Sequence, residues 1–301
     1  MSIIEKALDI LDKTKRSADK QEQSEYRSDL AEDEGHSRNN LNFRNLDNDY
    51  KPDVIRKDST DALSKSIRID LNKLNKMRYL TPDTPNKSMF EQLRHIKMQL
   101  LSDVSSNKSG KNISNIFMVT SSVAGEGKTY TSLNLALSIA YDYNHTVLYI
   151  DGDITRRTAT RLLDLDSYQG LTDYLESDDK KLSEFLLSTN IPKFNVLPSG
   201  TPHEMKTELF LSKKMTELMA ELSSRYSDRI IIMDTPPVLE DTSATALIKN
   251  TDKIILIIEA EKTPVHIIKK AVDLIQIGKP VLAILNKSNQ RIHSGYGYYN
   301  Y

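Results

Sequence analysis

An aliphatic stretch, Ile113 to Thr120, leads into Gly125-Glu126-Gly127-Lys128-Thr129, and a helical pattern from Lys128 to Tyr143 follows. A strand, a glycine-bearing loop and a helix, in that order, let successive backbone N–H groups turn onto phosphate oxygens at a helix N-terminus. Each residue type has its own task. The glycines admit the turn, Lys128 supplies a point charge, and the Thr129 hydroxyl can reach a magnesium ion. Tyr130 opens the helix beside them, so residues 125–130 form the candidate nucleotide cradle. The strict pattern has a glycine five residues before Gly127, where this chain has Ser122. The alternative, a chance glycine-rich turn, is disfavoured by the strand and helix on its two sides.

The same alternation continues. Thr146 to Ile150, Arg229 to Met233, Lys253 to Ile258 and Val281 to Leu285 read as short strands, and Glu208 to Tyr226 as a helix. Near-continuous apolar strands separated by helices predict an α/β fold, a mostly parallel sheet covered by helices on both faces. Its ligand site is expected at the carboxyl ends of the strands. Two strands end in acid: Ile150-Asp151-Gly152-Asp153 and Met233-Asp234-Thr235-Pro236-Pro237. Carboxylates beside phosphate repel it unless a cation intervenes, so Thr129, Asp153 and Asp234 are candidate magnesium ligands, directly or through water. Alone, an Asp after a strand is more often a turn or helix cap. Asn286, at the end of the last strand, is a candidate base contact, with a plain turn as the other reading.

Composition sets limits on partners. The formal charge is −1, which gives no whole-chain field toward nucleic acid. With no cysteine, disulfides, thiolate zinc sites and a cysteine nucleophile are excluded. Charges at Glu5, Lys6, Asp9 and Asp12 interrupt a signal-peptide core, and no run approaches the roughly 20 apolar residues that span a bilayer, so a soluble chain is expected.

Five segments are expected. Residues 1–17 carry an amphipathic period at Ile3, Ile4, Ala7, Leu8 and Leu11, and 18–66 read as a polar, disordered linker. Residues 67–110 form a helical segment. Within it Ser88 and Glu91 match a capping box, and Glu91, Arg94 and Lys97 line one helix edge. Residues 111–290 form the core, and 291–301 a flexible tail in which Tyr296, Tyr298, Tyr299 and Tyr301 crowd the chain end.

Taken together, these motifs resemble the bacterial tyrosine kinases, P-loop autokinases that govern extracellular polysaccharide export. Gly125 to Thr129 is similar to their Walker A loop, Asp151-Gly152-Asp153 to Walker A′, and Ile230 to Pro237 to Walker B. Glu91, Arg94 and Lys97 resemble the family's ExxRxxR oligomerisation helix, with Lys in the last place. The opening MSIIEKAL and the EQLRHIK stretch resemble most closely the exosortase-associated branch. The resemblance implies a P-loop NTPase fold of the MinD/ParA type and ATP and Mg2+ as cofactors. It also implies phosphoryl transfer to the terminal tyrosines, with catalysis by Lys128, Asp151, Asp153 and Asp234. Asp151 is the candidate proton acceptor, although its role and that of Asp153 are not separable in sequence. The implied partners are further copies of the chain, in a ring, a separate membrane-spanning co-polymerase as activator, and a tyrosine phosphatase. The implied location is cytoplasmic, at the inner face of the membrane. Two features depart from the family: Arg156-Arg157 follow Thr155 where an Arg comes earlier, and Ser243-Ala244 stand where Asp-Ala is common.

Two other readings remain open. One is a P-loop ATPase switch, which would carry a second lysine where this chain has Val123 and would have no tyrosine tail. The other is a nucleotide-binding adaptor that recruits partners through its tail.

Overall fold

Aliphatic runs that lack polar alternation must be buried on both faces, and here they form the middle of an eight-stranded sheet. The structure is a computed structural model that describes residues 65–82, 87–106, 115–142, 145–226, 229–275 and 279–288. The chain divides into two units, 1–61 and 62–301, and every described residue belongs to the second. The expected N-terminal helix, all but the end of the expected linker, and the tyrosine tail lie outside the described residues.

The strands are β1 (Lys65–Ile67), β2 (Ile116–Ser121), β3 (Thr146–Asp151), β4 (Leu187–Thr189), β5 (Phe194–Leu197), β6 (Arg229–Asp234), β7 (Lys253–Glu259) and β8 (Val281–Asn286). Their order across the sheet is β1-β4-β5-β3-β6-β2-β7-β8. All neighbours are parallel except β4 and β5. The carboxyl ends of β2, β3 and β6 therefore lie side by side, with Asp151 opposite Asp234 and Val119 beside Asp234.

The described helices are α1 (Leu71–Lys76), α2 (Lys87–Ser106), α3 (Lys128–Ala140), α4 (Thr158–Leu162), α5 (Leu171–Glu176), α6 (Lys206–Leu211), α7 (Lys213–Arg225), α8 (Thr242–Ile248) and α9 (Val265–Ile275). In α3 every residue but Tyr130 is buried, including Leu133, Leu135, Leu137 and Ile139. Each such side chain contributes about 1.5–3 kcal/mol, against about 1 kcal/mol net for a hydrogen bond. Apolar packing therefore holds the helix behind the phosphate loop, and polar contacts orient it.

One polar contact comes from the segment before the core. Leu80 N donates to Asn134 Oδ1 (2.7 Å), and Asn134 Nδ2 donates to Tyr130 O (2.9 Å). Tyr130 Oη donates to Arg78 O (2.8 Å), and the Tyr79 and Tyr130 rings lie 5.0 Å apart. Residues 78–80 are thus stitched along the first two turns of α3.

The structure differs from the sequence expectation in two helices. The single helix expected from Glu208 to Tyr226 is two, because Ser212 is extended (φ −63°, ψ 155°) and its hydroxyl accepts from Met215 N (3.1 Å). A serine that caps one helix cannot continue another. The helix expected to open at Ser88 begins at Lys87.

Asn134 is buried. Asn134→Ala would leave the Leu80 N–H without its acceptor, and a loss of about 1–3 kcal/mol in urea unfolding is expected. An unchanged midpoint would show that the 78–80 segment is not fastened there.

Candidate active site

The loop between β2 and α3 is held by buried polar contacts on both sides. Gly127 has φ +93°, and a Cβ there would meet Asn286 Nδ2 at 2.2 Å. That atom donates to Glu126 O (2.8 Å), and Lys287 Nζ, next in the chain, donates to Gly125 O (2.7 Å). The Glu126 side chain is buried and turned inward. Its Oε2 accepts from Val123 N (3.0 Å), and its Oε1 from Thr263 Oγ1 and from Glu259 N (3.3 Å). Glu126 and Asn286, both expected to contact nucleotide, therefore spend their side chains bracing the loop. The Tyr130 side chain faces residues 78–79, which leaves its backbone for the site.

The charged groups converge where β2, β3 and β6 end. Lys128 Nζ donates to Asp153 Oδ2 (2.6 Å) and lies 4.0 Å from Asp234 Oδ1. Thr129 Oγ1 donates to Asp234 Oδ2 (2.6 Å). Asp153 Oδ1 accepts from Arg156 N (3.1 Å). Asp151 accepts from Thr160 N (2.8 Å), Thr160 Oγ1 (2.7 Å) and Asp153 N (3.2 Å). The fold thus brings Lys128, Thr129, Asp151, Asp153 and Asp234 together, all of them buried.

Burial sets the proton affinities. Loss of water, with Asp234 nearby, pushes the Asp151 carboxyl up to about 7. Burial also raises Asp234, against the opposing pull of Lys128. For Lys128, burial favours the neutral amine, but Asp234 and Asp153 more than reverse this and keep the ammonium.

A divalent cation fits this donor set. The described residues contain no group of three or more His, Cys, Asp or Glu spaced for a metal. Magnesium, however, commonly takes one or two carboxylates and completes its shell with water and phosphate oxygens. Asp234 Oδ1 is buried without a hydrogen-bond partner among the described residues, beside the Thr129 hydroxyl. An orphaned carboxylate oxygen calls for such a partner.

Sequence reasoning missed several contributors. Glu240 Oε1 accepts from Ala124 N (2.8 Å), and its Oε2 meets Arg156 Nη2 (3.2 Å). Thr160 was also missed, since only the fold brings it to the strand end. Of the basic pair, Arg157 Nε donates to Ser199 Oγ (3.0 Å), while Arg156 is held by Glu240. Outside this cluster, Glu91 and Arg94 are 65% exposed on α2, whereas Lys97 pairs with Asp142 of its own chain (3.0 Å). The four tail tyrosines lie outside the described residues.

Gly127→Ala should abolish nucleotide binding, because the added methyl collides with Asn286 and L-residues avoid this φ. Calorimetry with ATP on folded variant protein checks this, and retained affinity would mean that the loop tolerates rearrangement.

A family model described as an AAA domain matches residues 114–287. Tyrosine-protein kinase YwqD of Bacillus subtilis (strain 168) is 34% identical over 184 residues, 60% of this chain and 76% of that protein. Tyrosine-protein kinase CpsD of Streptococcus agalactiae is 31% identical over 189 residues, 62% of this chain and 81% of that protein. The kinase domain of the Escherichia coli tyrosine kinase ETK is similar in structure, with a TM-score of 0.62 and 25% identity, covering 80% of this chain and 95% of that one. Since these relatives align over most of their own length and the described fold is theirs, the chain belongs to the bacterial tyrosine kinase family, as a protein-tyrosine kinase built on an AAA domain.

Proposed function

We propose that the chain moves the terminal phosphoryl group of ATP onto its own tyrosines, Tyr296, Tyr298, Tyr299 and Tyr301, and that this governs capsule or exopolysaccharide assembly. The observation that carries this reading is the meeting of Lys128 and Thr129 with Asp153 and Asp234 at 2.6 Å each. Such a site joins a phosphate-binding cation to carboxylates that can hold a metal or take a proton. Kinship with tyrosine-protein kinases favours it over an ATPase switch or an adaptor.

In this mechanism Lys128 and the loop amides bind the phosphates, and Thr129 and Asp234 would hold magnesium, with Asp153 reaching it through water. The bound cation would neutralise charge on the phosphate oxygens. Incoming phosphate draws Lys128 from Asp153. The phenolic oxygen then bonds to the terminal phosphorus as the bond to the bridging oxygen of ADP breaks, and the phenolic proton passes to a carboxylate. Asp153 is the better acceptor of the two on this reading, since the departure of Lys128 frees its Oδ2 while the Arg156 amide keeps its Oδ1 in place. Asp151 is occupied on both oxygens and shapes the turn that carries Asp153.

Transfer between copies follows if tails reach neighbouring sites, with Glu91 and Arg94 exposed for the subunit contact and Lys97 joining it only by leaving Asp142. No described helix is long and apolar enough to cross a membrane. A separate membrane-spanning activator, a peripheral place at the inner membrane face and a tyrosine phosphatase that resets the tail complete the proposal. The exosortase-associated placement is its finest part and rests on the MSIIEKAL and EQLRHIK stretches.

Incubation with MgATP and mass mapping should find phosphate on the four terminal tyrosines. Lys128→Met should abolish it, and a chain with all four replaced by Phe should carry none. Phosphate absent from the tail of an active ATPase would overturn the reading. Asp153→Asn should slow transfer about 10²-fold or more while nucleotide still binds, as loss of a proton acceptor requires; an unaltered rate would return the role to Asp151.

A further inference from the structure

The Ala124 amide belongs to the phosphate loop, yet it donates to a carboxylate, Glu240 Oε1, at 2.8 Å. Such loops normally aim their amides at phosphate oxygens. Glu240 is held in reach by its own backbone turn: Val238 N donates to Ser121 O (2.9 Å), Leu239 N to Ser122 O (3.3 Å) and Glu240 N to Pro237 O (3.2 Å). Three loops meet at this side chain: the phosphate loop, the loop after β6, and the loop after β3 through Arg156 at 3.2 Å.

The sheet order gives this contact a direction. β6 and β3 lie on one side of β2, and β7 and β8 on the other. Asn286 and Lys287 hold the loop carbonyls from the β8 side. Glu240 and Arg156 lie on the opposite side, with Asp153 and Asp234, the side to which the proposed mechanism assigns the reacting phosphate. The Arg156–Glu240 pair is half exposed (45% and 38%), so water screens it and it holds Glu240 only weakly against a stronger anion.

We propose that Glu240 is a built-in competitor for the terminal phosphate of ATP: its carboxylate occupies the Ala124 amide, a triphosphate displaces it, and a diphosphate leaves it in place. The inference rests on the nucleotide-binding reading above and adds selection against ATP at that site. Displacement also leaves the Arg156 guanidinium unpaired at the mouth, where the phosphoryl group is to be transferred.

The test is calorimetric titration of the full chain with Mg2+ and either ADP or a β,γ-imido ATP analogue. Glu240→Gln should bind the analogue about tenfold tighter while ADP affinity stays within about twofold, the scale of one charge-assisted hydrogen bond. Glu240→Ala should show the same selective gain, with thermal unfolding verifying its fold. An equal gain for both nucleotides would reduce Glu240 to a long-range charge and overturn the proposal, as would no gain or a loss for the analogue. Failure of the unaltered chain to bind either nucleotide would remove the underlying reading with it. Binding of both with an unchanged ratio would remove only the competitor.

Discussion

Three carboxylates and one ammonium share a buried pocket at the ends of three parallel strands, and the stability of that arrangement rests on the Lys128–Asp153 contact at 2.6 Å. Buried charge is costly unless it is paired and hydrogen-bonded. Asp153 has Lys128 and the Arg156 amide, Asp151 has Thr160 and the Asp153 amide, and Asp234 has the Thr129 hydroxyl on one oxygen. The remaining oxygen of Asp234 has no hydrogen-bond partner among the described residues. One ammonium does not balance three carboxylates. The burial that pushes Asp151 up to about 7 is the electrostatic cost of assembling the pocket before a cation or substrate relieves it.

That cost is met by the packing around it. α3 is buried on nearly every side and packed against the sheet, so the first turn that carries Lys128 and Thr129 has little freedom to relax away from the carboxylates. Residues 78–80 add a second restraint through Asn134 and Tyr130. The chain N-terminal to the core is thereby in mechanical contact with the helix whose end binds phosphate. A rigid site of this kind holds its charges in place before reaction, the condition under which electrostatic stabilisation is most effective.

The parts readable in sequence were those encoded locally. Gly127 announces a turn, the aliphatic run before it announces a strand, and Asp151 and Asp234 stand out because each ends such a run. Short elements such as β4 and β5, at three and four residues, carry too little periodicity to be seen. Ser212 breaks a helix by one hydroxyl contact, a choice decided by local competition that the apolar pattern on either side conceals. Glu240 and Thr160 were invisible for another reason. Their chemistry comes from where the topology puts them, 116 residues from Ala124 and nine from Asp151. Glu126 in the loop and Asn286 at the end of the last strand were both singled out, but the sequence could not show that their side chains brace the loop.

The fastening of the loop to β8 links ligand occupancy to the route of the polypeptide. Asn286 and Lys287 grip two successive loop carbonyls, and the chain toward its carboxyl terminus departs directly from them. A loop that moves on filling must either drag that departure point along or release both grips. The end of β8 is therefore tethered to the phosphate loop, and a displacement of one is transmitted to the other.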